Sequence, residues 1–141
     1  MGISEAELIR RVADEAEIRN LVSRLAHLAD HGDVDDYVTL FMPDASWEMP
    51  GGPRRGRDEI RAGALERRQT ATAGPGSNTR HVITTITVQA DGGDVATADS
   101  YWLFYGDTAT APAVRLMGYY HDTLQRTEDG WKVARREITF G

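Results

Sequence analysis

The chain has 141 residues, 40% of them hydrophobic and 27% charged, with a formal charge of −6. That length suits one domain, residues 1–141, built on one core, and the acidic balance argues against nucleic acid or an anionic membrane surface as partner. Cysteine is absent, which removes disulfides, thiol nucleophiles and thiolate metal sites together.

Residues 4–31 read as one amphipathic helix, because Ile18, Leu21, Val22, Leu25, Leu28 and Ala29 recur at three- and four-residue steps. Gly32 supplies a left-handed stop. Asp33 is placed to cap a second helix, with Asp35 and Asp36 in its first turn. Tyr37, Leu40 and Phe41 form the apolar side of that helix, and Met42-Pro43-Asp44 ends it. A short strand is predicted from Ala45 to Met49, then the turn-rich PGGPRRG, then a third helix from about Arg57 to Thr70 with Ile60, Ala64 and Leu65 inward. After AGPGSNT the period changes to two. Strands are predicted at His81–Ala90, Val95–Tyr105, Val114–Thr127 and Trp131–Phe140, separated by ADGGD, GDTATAPA and TEDG. Helices first and an antiparallel run second make an α+β domain, whose curved sheet can fold around the helices and leave a cavity.

The end of the first helix, SRLAHLADHGD, raises a question of chemistry. With Ile18 at zero on a helical wheel, Asp30 falls at about 120°, flanking the apolar stripe instead of opposing it. An acid near a helix C-terminus is mildly unfavourable against the dipole, so it asks for another reason to be there. A histidine opens the strand RHVITTITV, where alternation puts His81, Ile83, Thr85 and Thr87 on one side and Val82, Ile86 and Val88 on the other. A histidine serves as a base when a carboxylate fixes its tautomer and stabilises the imidazolium. Each residue also has a plain structural reading, as a helix-end polar group and as a hydrogen-bonded rim residue.

The runs HLADHGDVDDYVTLFMPDASW, GRDEIR, RHVITTITV, ATADSYWLF, GYYHDTLQR and DGWKVARRE resemble the SnoaL-like, polyketide-cyclase-type branch of the nuclear transport factor 2-like superfamily, from about residue 8 to 140. The resemblance implies a cone of curved antiparallel sheet closed by three N-terminal helices, with a pocket inside. It also implies that Asp30 orients His81 as base, with Arg136, five residues beyond Trp131, as the companion cation. Similar enzymes often carry Tyr or Lys five residues before the aspartate. Here that position is Leu25. Strict alternation would put Arg135 on the face of Trp131 and Val133, and a bulge would exchange it for Arg136.

The chemistry that follows is proton abstraction from an activated carbon, as in a cofactor-free lyase or isomerase of dehydratase, dehydrohalogenase or cyclase type. Trp47, Tyr101, Tyr105, Tyr119 and His121 are the candidate pocket walls for a small hydrophobic substrate. The competing reading is a non-catalytic ligand-binding or protein-interaction module of the same fold. His27 and His31 have i, i+4 spacing, but Arg24 shares their face and Gly32 interrupts the helix, so no metal is expected. No organic cofactor is expected either, since no phosphate-binding glycine motif precedes a helix. An open sheet with apolar residues needs cover, and a homodimer is the expected form. No apolar run is long enough to span a membrane and the start MGISEAELIRR has no signal-peptide core, so a cytoplasmic location is expected.

Overall fold

The computed structural model describes residues 2–141. In chain order the elements are α1 (Glu5–His31), α2 (Val34–Val38), β1 (Phe41–Glu48), β2 (Arg54–Arg55), α3 (Gly56–Gln69), β3 (Arg80–Gln89), β4 (Val95–Gly106), β5 (Ala113–Thr127) and β6 (Gly130–Phe140). The six strands make one curved, unclosed sheet in the order β2-β1-β6-β5-β4-β3. All neighbours are antiparallel except β1 and β6, which run parallel. Among the described residues, no helix is long and apolar enough to cross a membrane.

Helix α1 begins with a capping box, in which the Ser4 hydroxyl accepts from the Glu7 amide and the Glu7 carboxylate accepts from the Ser4 amide. Ile18, Leu21, Val22 and Leu25 bury its apolar stripe. It does not end in a left-handed turn: Gly32 lies at φ −95°, in extended backbone. Glycine is required there for space, since a Cβ would stand 2.4 Å from Leu28 Cδ2 and 2.8 Å from Leu28 Cα.

Asp33 caps α2 as expected, its carboxylate accepting from the Asp35 amide at 2.7 Å. The helix is shorter than its apolar pattern suggests, because Leu40 and Phe41 have already left it. The Val133 amide takes the Leu40 carbonyl at 2.9 Å, and the Arg57 guanidinium takes the Phe41 carbonyl at 2.7 and 3.0 Å. Strand β1 therefore starts at Phe41 instead of Ala45. Pro43 is tolerated inside it because the β1–β6 register is interrupted between Phe41 and Ser46.

A part-buried ion pair joins the middle of α1 to the far end of the sheet. Asp14 is 5% exposed and accepts from both terminal nitrogens of Arg126 at 2.7 and 2.8 Å and from the Trp131 indole at 3.1 Å. The Arg126 guanidinium also stacks on the Trp131 ring, 4.6 Å from its centroid. The Arg126 hydrogen bond outweighs burial and, with the indole, holds the Asp14 carboxyl below the usual carboxylate range. A carboxyl depressed in the folded state stabilises the fold above its unfolded value of about 4, and that contribution is lost as pH falls through the folded value. Asp14→Asn is expected to cost roughly 1 to 2 kcal/mol at pH 7, the scale of charge-assisted hydrogen bonds, with the gap to the parent protein narrowing as pH drops from 4 toward 2. Urea unfolding across that range checks it, and a gap independent of pH would contradict the clamp.

Candidate active site

Two local irregularities decide which side chains face the helices. In β3 the pairing with β4 shifts between Thr84 and Thr87, where Thr85 takes a positive φ of 46°. This bulge lets His81 and Ile83 share the inner side with Ile86 and Val88, although simple alternation separates them. In β6 Val133 pairs with Leu124 while Arg135 pairs with Thr123, so Ala134 is the extra residue. Trp131 and Val133 are buried before the bulge, and Arg136 and Ile138 after it. Arg135 instead turns outward to Glu137, at 2.8 Å.

The inner side encloses a cavity of about 170 Å³, on the scale of the ~150 Å³ apolar cavities that take up benzene. Its wall is mostly apolar, with Leu25, Trp47, Ile83, Trp102 and Phe104 among its residues. Trp102 lies flat across β5 because its cross-strand partner is Gly118. A Cβ on Gly118 would meet the indole at 2.2 Å and the Thr139 carbonyl at 2.3 Å.

His81 and Asp30 meet at the edge of this cavity. Asp30 is 7% exposed and holds His81 twice. One carboxylate oxygen lies 2.7 Å from the ring Nδ1, and the pair of oxygens accepts the His81 backbone N–H at 3.0 and 3.2 Å. Gripping both amide and ring fixes the side-chain rotamer as well as the position of the strand. An Nδ1–H donated to Asp30 leaves Nε2 with its lone pair free, the tautomer a base needs. Phe104 braces the ring from the side, centroid to centroid 4.8 Å.

Arg136 lines the same cavity but is not a free cation. Asp122, its direct cross-strand neighbour, accepts from Nε at 2.8 Å and from Nη2 at 3.0 Å, with both side chains buried. Burial disfavours the guanidinium charge, yet the Asp122 carboxylate more than compensates and raises its pKa. The guanidinium lies over the Tyr120 ring at 3.7 Å. Burial pushes the Tyr120 hydroxyl up to about 12, against the pull of Arg136. Only the Nη1 edge of Arg136 is left for a ligand.

Of the expected pocket walls, Trp47 lines the cavity and Tyr101, Tyr105, Tyr119 and His121 do not. The opposite parity faces inward: Trp102 and Phe104 on β4, Tyr120 and Asp122 on β5. On the outer side, Asp99 accepts from the Tyr119 hydroxyl and lies 2.5 Å from His121 Nδ1. Burial pushes the Asp99 carboxyl up, but these two hydrogen bonds win and hold it below its ordinary value. The same bond raises the Tyr119 hydroxyl to about 12. The sequence reading missed Asp122, although an acid between Tyr120 and Leu124 in an inward row is the kind of signal that marked Asp30. It also missed Arg67 and Arg68, which enter the cavity wall from the last turn of α3.

The family model of the SnoaL-like domain matches residues 10–137, whereas no curated protein matches the chain. Among solved structures, an NTF2-like protein with a cystatin-like fold from Novosphingobium aromaticivorans is similar at 27% identity and a TM-score of 0.85, over 96% of this chain and 86% of its own. Aln2 from a Streptomyces species is similar at 25% identity and a TM-score of 0.76, over 89% of each chain. A Catenulispora acidiphila protein, solved in complex with S-DNPA, is similar at 26% identity and a TM-score of 0.77, over 92% of this chain and 94% of its own. Since the family match runs from α1 into β6, the protein belongs to the SnoaL-like domain family.

Proposed function

We propose that the cavity is the active site of a cofactor-free lyase or isomerase that acts on a small hydrophobic carbonyl compound. The observation that carries this reading is the Asp30–His81 pair on the wall of an apolar cavity, with Nδ1 engaged at 2.7 Å. His81 Nε2 takes a proton from a carbon next to a carbonyl. The C–H electron pair moves into the carbon framework and leaves negative charge on the carbonyl oxygen. Asp30 stabilises the imidazolium that forms, and the open Nη1 edge of Arg136 donates to the enolate oxygen. The imidazolium then returns its proton, either to another carbon, which is isomerisation, or to a departing hydroxide, which is dehydration. Family membership supports the choice of class, as does the small molecule bound by the Catenulispora acidiphila neighbour.

Within this reading Leu25, which takes the place of a polar group, makes the wall beside Asp30 apolar. At that wall His81 has no polar companion from α1, which suits a substrate whose leaving group departs easily.

The test is the tautomer of His81. Ring ¹⁵N shifts should show Nδ1 protonated and Nε2 bare in the neutral imidazole. Asp30→Asn should shift that balance toward a mixture, since its side chain can offer the ring an N–H as well as a carbonyl. A ring indifferent to this substitution would favour the alternative, a non-catalytic binding module built on the same cavity.

A further inference from the structure

Three guanidiniums reach the cavity wall, from Arg67, Arg68 and Arg136, and their surroundings differ. Arg136 is matched by the buried Asp122 carboxylate. Arg68 donates through Nη2 to the Leu28 carbonyl at 3.0 Å, near the end of α1. Arg67 has no carboxylate and no side-chain hydrogen-bond acceptor among the described residues. Its guanidinium stacks over the Trp47 ring, 5.1 Å from the centroid, and is half-buried. The backbone beneath it is held firmly, because the Arg67 carbonyl accepts from the amides of Thr72 and Ala73 at 2.9 and 3.3 Å. Gly63, one turn earlier, gives the space shared by Arg67 Nη1 and Arg54 Nε, each 3.3 Å from where a Cβ would stand, and Arg54 is itself paired with Glu66 at 2.7 Å. A guanidinium parked on an aromatic plane keeps its N–H edge directed outward, the arrangement that suits a planar two-oxygen acceptor.

Topology adds a direction. Trp47 belongs to β1 and His81 to the edge strand β3, four strands apart in the order β2-β1-β6-β5-β4-β3. The cavity wall therefore carries Arg67 over Trp47 on the β1 side and His81 on the β3 side, with Arg136 on β6 between those strands and Arg68 near the end of α1. From this arrangement we infer that Arg67 is the specificity-determining residue of the site and holds the carboxylate of a one- or two-ring aromatic or conjugated acid, whose other end is presented to His81. The inference rests on the reading of this cavity as a small-molecule site and adds the charge that the molecule carries. Arg136 cannot take that part, because Asp122 already offsets its charge. The chain's formal charge of −6 disfavours anions in general, so a preference for an acid has to come from a local cation.

The experiment compares 2-naphthoate with the neutral isostere 2-naphthamide at pH 7.5, by calorimetry and by quenching of tryptophan fluorescence. A charge-assisted pair in a partly dry site predicts that naphthoate binds about tenfold to a hundredfold more tightly. Arg67→Met should bring the two ligands within about twofold of each other, Arg67→Lys should keep part of the preference, and Arg135→Ala should leave it intact. Circular dichroism and thermal unfolding confirm that the Arg67 variants are folded, and the lysine variant keeps the test decisive if the methionine variant is not. Equal binding of the two ligands by the parent protein would overturn the assignment, as would a preference that survives in Arg67→Met, or no binding of either ligand. The two ligands are compared by binding alone, with no proton transferred. The anion subsite and the proton-transfer chemistry therefore stand or fall on separate readouts.

Discussion

Asp122→Ala is expected to destabilise the fold by roughly 3 to 5 kcal/mol, the penalty for leaving one member of a buried ion pair without its counter-charge. Arg136 is 4% exposed and Asp122 is 0% exposed, so bulk water screens the unpaired guanidinium poorly. Against a total stability of about 5 to 15 kcal/mol for a domain, this is a large fraction. The effect should be reversed by a second substitution. Asp122→Ala with Arg136→Met removes both charges, and a well-packed apolar pair can match or exceed the ion pair it replaces. Urea unfolding of the two singles and the double completes the cycle. If the first single costs under about 1 kcal/mol, the pair does not bear the charge balance described here.

His81→Ala is expected to slow proton abstraction by about 10² to 10⁴, the usual contribution of a positioned general base. The measurement is exchange of a ligand's C–H for solvent deuterium at the carbon beside its carbonyl, followed by NMR. Folding should be nearly untouched, for a specific reason. Asp30 also accepts the backbone N–H of residue 81 at 3.0 and 3.2 Å, and alanine keeps that N–H. The buried carboxylate is therefore not left without a donor when the ring goes. Exchange at the parental rate in a folded variant would remove His81 from the role of base.

Much of this architecture is written locally in the chain. The capping box at Ser4, the stripe Ile18–Leu25 and four strands bounded by turn chemistry are short-range signals, and the observed strand limits agree with them to within a residue. The α2–β1 junction is different. Leu40 and Phe41 continue a helical pattern, but hydrogen bonds from Val133 and Arg57 draw them into the sheet, and neither partner is near in sequence. The two bulges have the same character. Nothing in HVITTIT marks Thr85 as the residue that slips, or Ala134 in KVARRE, yet these slips decide that Ile86 joins His81 and that Arg136 displaces Arg135. Parity in β4 and β5 was the remaining gap. Both faces of YWLFY and GYYHD carry aromatic rings, so alternation separates Tyr101 from Trp102 without saying which looks inward. The choice is made by Gly118, which lets an indole lie against backbone. Asp30 was marked by an acid beside an apolar stripe at a helix end, whereas its pairing with His81 was implied by the family resemblance alone.

Helix α1 carries one buried carboxylate at Asp14, gripping Arg126 and Trp131, and another at Asp30, gripping His81. Sixteen residues of rigid helix separate them, about 24 Å at 1.5 Å per residue. The helix thus works as a strut pinned to the sheet at two points, and the imidazole hangs from its upper pin. Loosening the lower pin would let the strut pivot and carry the base off its aim, so a residue far from the chemistry sets how steadily the chemistry is pointed.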